Sequence, residues 1–269
     1  MARIALGVEY DGSAYHGWQS QLKDDVPTVQ EAVEKALSVV ANHKVKVICA
    51  GRTDAGVHGT GQVIHFDSDS VRDEKAWVAG TNSNLPKGIA LRWARSVGDD
   101  FHARFVAHSR RYRYVIYNHR TRPALFNRQV SWDYRTLDIT LMQEAARYLV
   151  GTHDFSAYRG VSCQAKSPIK TLHHLQLYRQ GPMLVLEVEA NAFLLHMVRN
   201  IAGVLMAVGA GERPPEWARE VLESRDRKQG GVTAPPYGLY MVGVGYPSQF
   251  GLPEPEYGPV WLPHDLSDW

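Results

Sequence analysis

At 269 residues, with 44% hydrophobic and 22% charged side chains, the chain has the balance of a soluble globular protein and room for one large or two modest domains. Its net charge of +2 conceals a segregation: residues 1–100 carry 11 bases and 13 acids, residues 101–211 carry 14 and 6, and residues 247–269 carry four acids and no base. Two cysteines, Cys49 and Cys163, exclude a disulfide framework or a cysteine metal cage, and Cys49 reads as a small core hydrophobe.

The N-terminal apolar run is too short for a signal peptide. The apolar stretch from Ala192 to Gly211 is broken by His196, Arg199 and Asn200, which excludes a membrane span. A cytoplasmic protein without membrane association is expected. In chain order, Ile4, Leu6, Val8 and Tyr10 alternate as a strand. Thr28 and Glu31 form a capping box, opening a helix whose Val29, Val33, Ala36, Leu37 and Val40 share one face. A strand follows at 45–49, then the glycine-rich loop 50–62, then a strand from Val63. A helix is predicted near 73–80 and a strand from Ile89 to Trp93. The first hundred residues thus read β-α-β-β-α-β, the split unit of ferredoxin-like folds.

The second half repeats the theme. Arg111, Arg113 and Val115 alternate with Tyr112, Tyr114 and Ile116. A helix spans 141–150 with Gly151 as its cap, followed by strands near 172–178 and 184–188. A long helix over 193–208, a short one opening at Pro214-Pro215 and a strand over 239–244 follow. The tail after Tyr246 holds five prolines and is expected to run extended over a surface. The predicted division is residues 1–104, carrying the aspartate loop, residues 105–246, carrying the arginine-rich strand and a basic helix, and the acidic tail 247–269.

Several chemistries are excluded. There is no P-loop, and Gly56–Gly61 leads into a strand where a dinucleotide loop needs a helix. The twelve histidines show no His-x-x-x-His spacing on a helix, and no metal is assigned. From Phe101 to Trp132 there are seven arginines and no acid, interleaved with Tyr112, Tyr114 and Tyr117. That pattern suits a polyanion, because phosphate contacts release condensed counterions.

In "AGRTDAGVHGTGQ", residues 50–62, the bland reading is a turn, for which Gly and Asp are the usual residues. A carboxylate beside phosphates, however, is suited to chemistry. To stay ionised in a dry cleft Asp54 needs a cation, which Arg52 or Arg199 could supply. Arg199 reads equally, from spacing alone, as a surface residue snorkelling off an apolar helix.

The stretch Gly51-Arg52-Thr53-Asp54-Ala55-Gly56-Val57-His58 resembles the signature of the TruA family, tRNA pseudouridine synthase I. Agreement extends to "YDGSAYHGWQSQ" (10–21), "FHARFVAHSRRYRYVIYN" (101–118), "HDFSAYR" (153–159), "NAFLLHMVRNIAG" (191–203) and "GLYMVGV" (238–244). The resemblance implies isomerisation of uridine to pseudouridine at tRNA positions 38, 39 and 40 in the anticodon stem-loop, by a homodimer with no cofactor, nucleotide or metal. It makes Asp54 the essential aspartate, attacking C1′ or abstracting the 2′ proton. Tyr112 is then the tyrosine that stacks on uracil, Arg199 the basic partner, Leu239 the apolar wall and Arg52 the arginine that holds the base extruded. The glycines let an RNA backbone approach.

The expected fold is α+β, with two ferredoxin-like split β-α-β halves forming a mostly antiparallel sheet, helices on one face and a catalytic cleft between the halves. By strand alternation Arg111 and Arg113 point away from Tyr112, under a helix or into ion pairs, leaving Arg110, Arg120 and Arg122 to contact RNA. The rival readings are a non-catalytic RNA-binding protein of the RRM type and a carboxylate-pair nucleoside glycosidase, the latter with Glu9 and Asp11 as its only candidates for a second acid.

Overall fold

A computed structural model of the chain describes residues 1–21 and 26–267, so the last two residues of the predicted tail lie outside the described residues. The elements in chain order are β1 (Ala2–Tyr10), α1 (Val29–Ala41), β2 (Ile48–Cys49), β3 (His58–Ser68), α2 (Glu74–Asn82) and β4 (Ile89–Val97). Then come β5 (Ser109–Asn118), β6 (Ser131–Asp133), α3 (Ile139–Arg147), β7 (Gly151–Asp154), β8 (Ile169–Gln180), β9 (Met183–Ala190), α4 (Met197–Gly209), α5 (Trp217–Ser224) and β10 (Leu239–Gly245). They fall into two compact units, residues 1–108 with 240–264 and residues 109–239 with 265–269.

In the first unit β1 lies between β4 and β3, antiparallel to both, and β2 pairs antiparallel with β3. The alternation of β1 sends Ile4, Leu6, Val8 and Tyr10 to one face, where they share a buried core with Val33 and Leu37 of α1 and Trp77 of α2. The capping box forms: Glu31 N–H donates to Thr28 Oγ1, and the Thr28 hydroxyl donates back to the Glu31 carboxylate at 2.9 Å. The strand predicted over 45–49 shrinks to its last two residues. The Val45 and Val47 N–H groups are taken by α1 side chains, Ser38 Oγ at 2.9 Å and Glu34 Oε1 at 3.1 Å, so they are lost to a ladder.

The predicted boundaries placed 239–246 in the second half. Residues 240–264 instead belong to the first unit, where β10 runs parallel to β3, Tyr240 opposite His58 and Met241 opposite Gly59. The tail lies along the same unit. Pro255 and Tyr257 crowd Gly243, Gly258 crowds Thr60, and Trp261 meets Tyr240 edge-on at 6.2 Å.

In the second unit the antiparallel strands run β5, β9, β8, β7, with β6 parallel on the flank of β5. Tyr112, Tyr114 and Ile116 lie opposite Val188, Leu186 and Leu184 on the buried apolar face. Three predictions fail here for local reasons. Helix α3 ends at Arg147, and Gly151, predicted to cap it, opens β7 with φ +108°. Helix α4 starts at Met197, four residues after Phe193, because the Leu195 backbone serves another segment: its carbonyl accepts from Gly160 N–H at 2.8 Å and its N–H donates to Cys163 Sγ at 3.4 Å. Helix α5 starts at Trp217, whose N–H donates to the Pro214 carbonyl in a preceding turn.

Candidate active site

The Asp54 loop, residues 50–57, is fixed by the segment that follows β1. Trp18 N–H donates to the Thr53 carbonyl at 3.0 Å, Gly56 N–H to the Tyr15 carbonyl at 3.3 Å, and the Tyr10 and Thr53 hydroxyls meet at 2.9 Å. From the far side Gln62 Nε2 donates to the Gly51 carbonyl at 2.6 Å. The approach is too close for side chains: a Cβ at Gly12 would sit 1.9 Å from the Val57 carbonyl oxygen. Gly17, at φ +93°, would put one 2.8 Å from that of Thr53. Two motifs forty residues apart in sequence, 10–21 and 50–62, therefore form one packed block with half-buried Asp54 and exposed Arg52 on it. Held this way, a carboxylate keeps its position without support from ligand.

Two of the four glycines have a role other than the predicted one. Gly59 and Gly61 belong to β3, where a Cβ would lie 2.6 Å from the Tyr10 ring and 2.2 Å from the Val242 carbonyl oxygen. They admit the protein's own groups; only Gly51 and Gly56 remain in the loop. His58 is buried, takes the Gly12 N–H on Nδ1 at 3.1 Å and stacks on Tyr240 at 4.6 Å, so it builds the loop's base. Burial pushes the Cys49 thiol up to about 11, in keeping with a packing role.

In the second unit strand alternation sorts the arginines. Arg113 is 1% exposed with Nε 2.7 Å from Glu187, and Arg111 pairs with Glu189 at 2.5 Å. Tyr112 faces the other way, buried, its ring edge-on to Phe193 at 5.1 Å. Arg110 shares the Tyr112 face by register and donates to the Asn191 carbonyl at 3.1 Å. Arg120 and Arg122 are exposed in the loop between β5 and β6. Leu239 is buried at the start of β10, its N–H donating to the Pro236 carbonyl at 2.9 Å.

Arg199, half-buried on the first turn of α4, donates from Nε to the Ala234 carbonyl at 2.8 Å, while Ala234 N–H donates to the Arg199 carbonyl at 3.1 Å. Beside it, buried Asn200 accepts from Thr233 Oγ1 at 2.6 Å and from Arg227 at 3.0 Å, and donates to the Tyr158 carbonyl at 2.8 Å. A Cβ at Gly203 would lie 1.9 Å from the Val232 carbonyl oxygen. Sequence reading missed Asn200, Thr233 and Arg227. The available signal was Asn200 itself, an amide within an apolar helix that must find buried partners.

Among the described residues no group of three His, Cys, Asp or Glu side chains is placed to hold a metal ion, and no helix is long and apolar enough to cross a membrane. A family model described as tRNA pseudouridine synthase matches residues 7–106 and 145–247. The chain is 65% identical over 266 residues to the tRNA pseudouridine synthase A of Alcanivorax borkumensis, covering 99% of each. It is 62% identical to that of Pseudomonas aeruginosa, over 97% of this chain and 92% of the relative. Against the Coxiella burnetii enzyme identity is 58%, over 98% and 100%. With the family model covering most of its length and the aspartate loop built into its first unit, the chain belongs to the tRNA pseudouridine synthase family.

Proposed function

We propose that this tRNA pseudouridine synthase isomerises uridine at positions 38, 39 and 40 of the anticodon stem-loop, with Asp54 as the reacting group. The reaction breaks the N1–C1′ bond, turns the uracil and rejoins it through C5; the C5 proton leaves and N1 gains one, so no redox carrier or donor is consumed. Asp54 attacks C1′ or takes the 2′ proton. Tyr112 and Leu239 hold the freed base, and the Tyr112 hydroxyl accepts the C5 proton. Arg199 supplies positive charge to the chemistry and Arg52 keeps the nucleotide extruded, a state that costs a few kcal/mol of unstacking. Arg110, Arg120 and Arg122 contact phosphates. The enzyme acts as a homodimer in the cytoplasm without cofactor.

The observation that carries this reading is the Asp54 loop: a half-buried carboxylate on a backbone clamped from both sides. A non-catalytic binder has no use for one. The strand order β4, β1, β3, β2 in the first unit supports a split β-α-β half there. Incubating the protein with an unmodified tRNA transcript and mapping the uridines that become carbodiimide-reactive in a change silent by mass tests the reading. Adducts at 38–40 are expected. Adducts elsewhere would move the site; none at all would leave a binder, and free uracil a glycosidase.

A further inference from the structure

The loop from Gly98 to His108 in the first unit is held by hydrogen bonds and buried aromatics along its length. Phe101 N–H donates to the Gly98 carbonyl at 3.0 Å, and its fully buried ring meets those of Tyr246 and Phe250 at 5.3 and 5.1 Å. Ala103 N–H donates to His65 Nδ1 at 3.1 Å, and its carbonyl accepts from the Tyr246 hydroxyl at 2.6 Å. His102 Nδ1 accepts from the N–H groups of both Arg104 and Phe105, each at 3.2 Å, and the His102 carbonyl takes Val106 N–H. This fixed backbone presents Phe105 to solvent, with 75% of its surface exposed.

That exposure is unlike an apolar residue left over at a surface. The Phe105 ring is stacked on His102 at 4.1 Å and 22°, and the Arg104 guanidinium lies 5.8 Å from its centroid. Burial, with the charges of Arg3 and Arg104, holds His102 below its ordinary range, so at neutral pH the ring is uncharged and Nδ1 is free to accept. The stack is therefore two uncharged rings beside a cation, its outer face open. Along the chain no acid follows from Phe101 to Trp132, although Asp99 and Asp100 open the same loop. Arg104 and Arg52 both act against the burial-driven rise of the Cys49 thiol.

We infer that Phe105, backed by His102 and flanked by Arg104, is a stacking platform for an unpaired nucleobase of the RNA substrate, distinct from the uridine that reacts. An aromatic face accepts any base, and a neighbouring guanidinium adds a phosphate or cation–π contact. The platform rests on the reading of this protein as a tRNA-modifying enzyme and adds a contact that the arginines of the second unit do not make. It extends recognition from phosphate charge to an extruded or loop base, which duplex RNA cannot offer.

The test is filter binding of an unmodified tRNA transcript across a salt series, for wild type and four variants. Phe105→Ala should weaken binding by about ten-fold with the salt slope unchanged, because stacking releases no counterions. Phe105→Trp should bind as wild type does, whereas Phe105→Leu should bind as the alanine variant does. Arg104→Ala should lower the log–log slope by about one. Binding by Phe105→Ala within two-fold of wild type would overturn the platform, and so would wild-type binding by Phe105→Leu. A changed sedimentation coefficient in Phe105→Ala would make this face a contact with a second copy of the chain, which also overturns it. Pseudouridine formation by wild type on the same transcript separates the two levels. If it occurs, a null result at Phe105 counts against the platform alone; if it does not, the functional reading falls and the platform with it.

Discussion

The two units fix their functional residues by different means. In the first, Asp54 stands on irregular backbone whose carbonyls and N–H groups are bound by a distant segment, and two glycines there are required by contacts of 1.9 and 2.8 Å. In the second, Tyr112, Arg110, Arg111 and Arg113 take their directions from the pleat of one strand, and Arg199 from one turn of helix. Periodic structure sets many residues at once and tolerates single changes. A clamped loop sets one residue and depends on each of its bonds.

The largest expected effect comes from Asp54→Asn, which is isosteric and removes the reacting carboxylate. Single-turnover product formation should fall at least about a thousand-fold while tRNA binding stays near wild type. Retention of a tenth of the wild-type rate would place the chemistry elsewhere.

Next is the polar face of the second unit. Glu187→Ala leaves the buried Arg113 guanidinium without its carboxylate and should cost about 3 kcal/mol in urea unfolding. Burial raises the Glu187 carboxyl, but the nearby His174 ring and the hydrogen-bonded Arg113 guanidinium outweigh that and hold it below its ordinary range. A depressed folded pKa means that this stabilisation is complete at neutral pH and is lost as pH falls through the carboxylate range.

The first unit should weaken at higher pH than that. Burial, His102 and Arg3 lower His65 to about 4, so the unfolded chain takes up a proton near 6.5 that the folded one refuses. Stability from this group is full above about 6.5 and declines toward pH 4. Hydrogen exchange should show the first unit opening earlier on acidification, and His65→Gln, which retains an acceptor for Ala103 N–H, should flatten the decline. Simultaneous opening of both units would erase the contrast.

Among the arginines, Arg120→Ala and Arg122→Ala should each reduce the salt slope of tRNA binding by about one, and Arg113→Ala should leave it unchanged while lowering stability. The reverse pattern would mean that β5 presents its other face to RNA. The smallest effect is reserved for Tyr10→Phe, which removes one hydroxyl from the Asp54 clamp. A loss of about 1 kcal/mol is expected, with a measurable drop in turnover if the clamp positions the carboxylate. Unchanged turnover would show that the remaining bonds suffice.

What was legible in the sequence follows the same division. Alternation in 109–118 foretold that Arg111 and Arg113 would lie on the face opposite Tyr112, because period two is a local property of the backbone. The capping box likewise announced where α1 begins. Three-residue β6 and four-residue β7 left too short a pattern to read. The strand at 45–49 failed because side chains of α1, Ser38 and Glu34, captured its donors. Two of the glycines looked RNA-facing, yet their partners, Tyr10 and Val242, are fixed only once the chain has folded. Asp54 was singled out by its motif, and the clamp around it by nothing in the local pattern.

The parallel pairing of β10 with β3 has a consequence for synthesis on the ribosome. The first unit is built from residues 1–108 and 240–264, so it cannot be completed until nearly the whole chain has emerged. Through the intervening 131 residues, 109–239, the stretch of β3 at His58 and Gly59 waits without the partner it has in the finished fold. Unpaired strand edges recruit other chains. A nascent chain stalled or truncated before Tyr240 is therefore the species most prone to aggregate, and the one for which a holding chaperone should matter most.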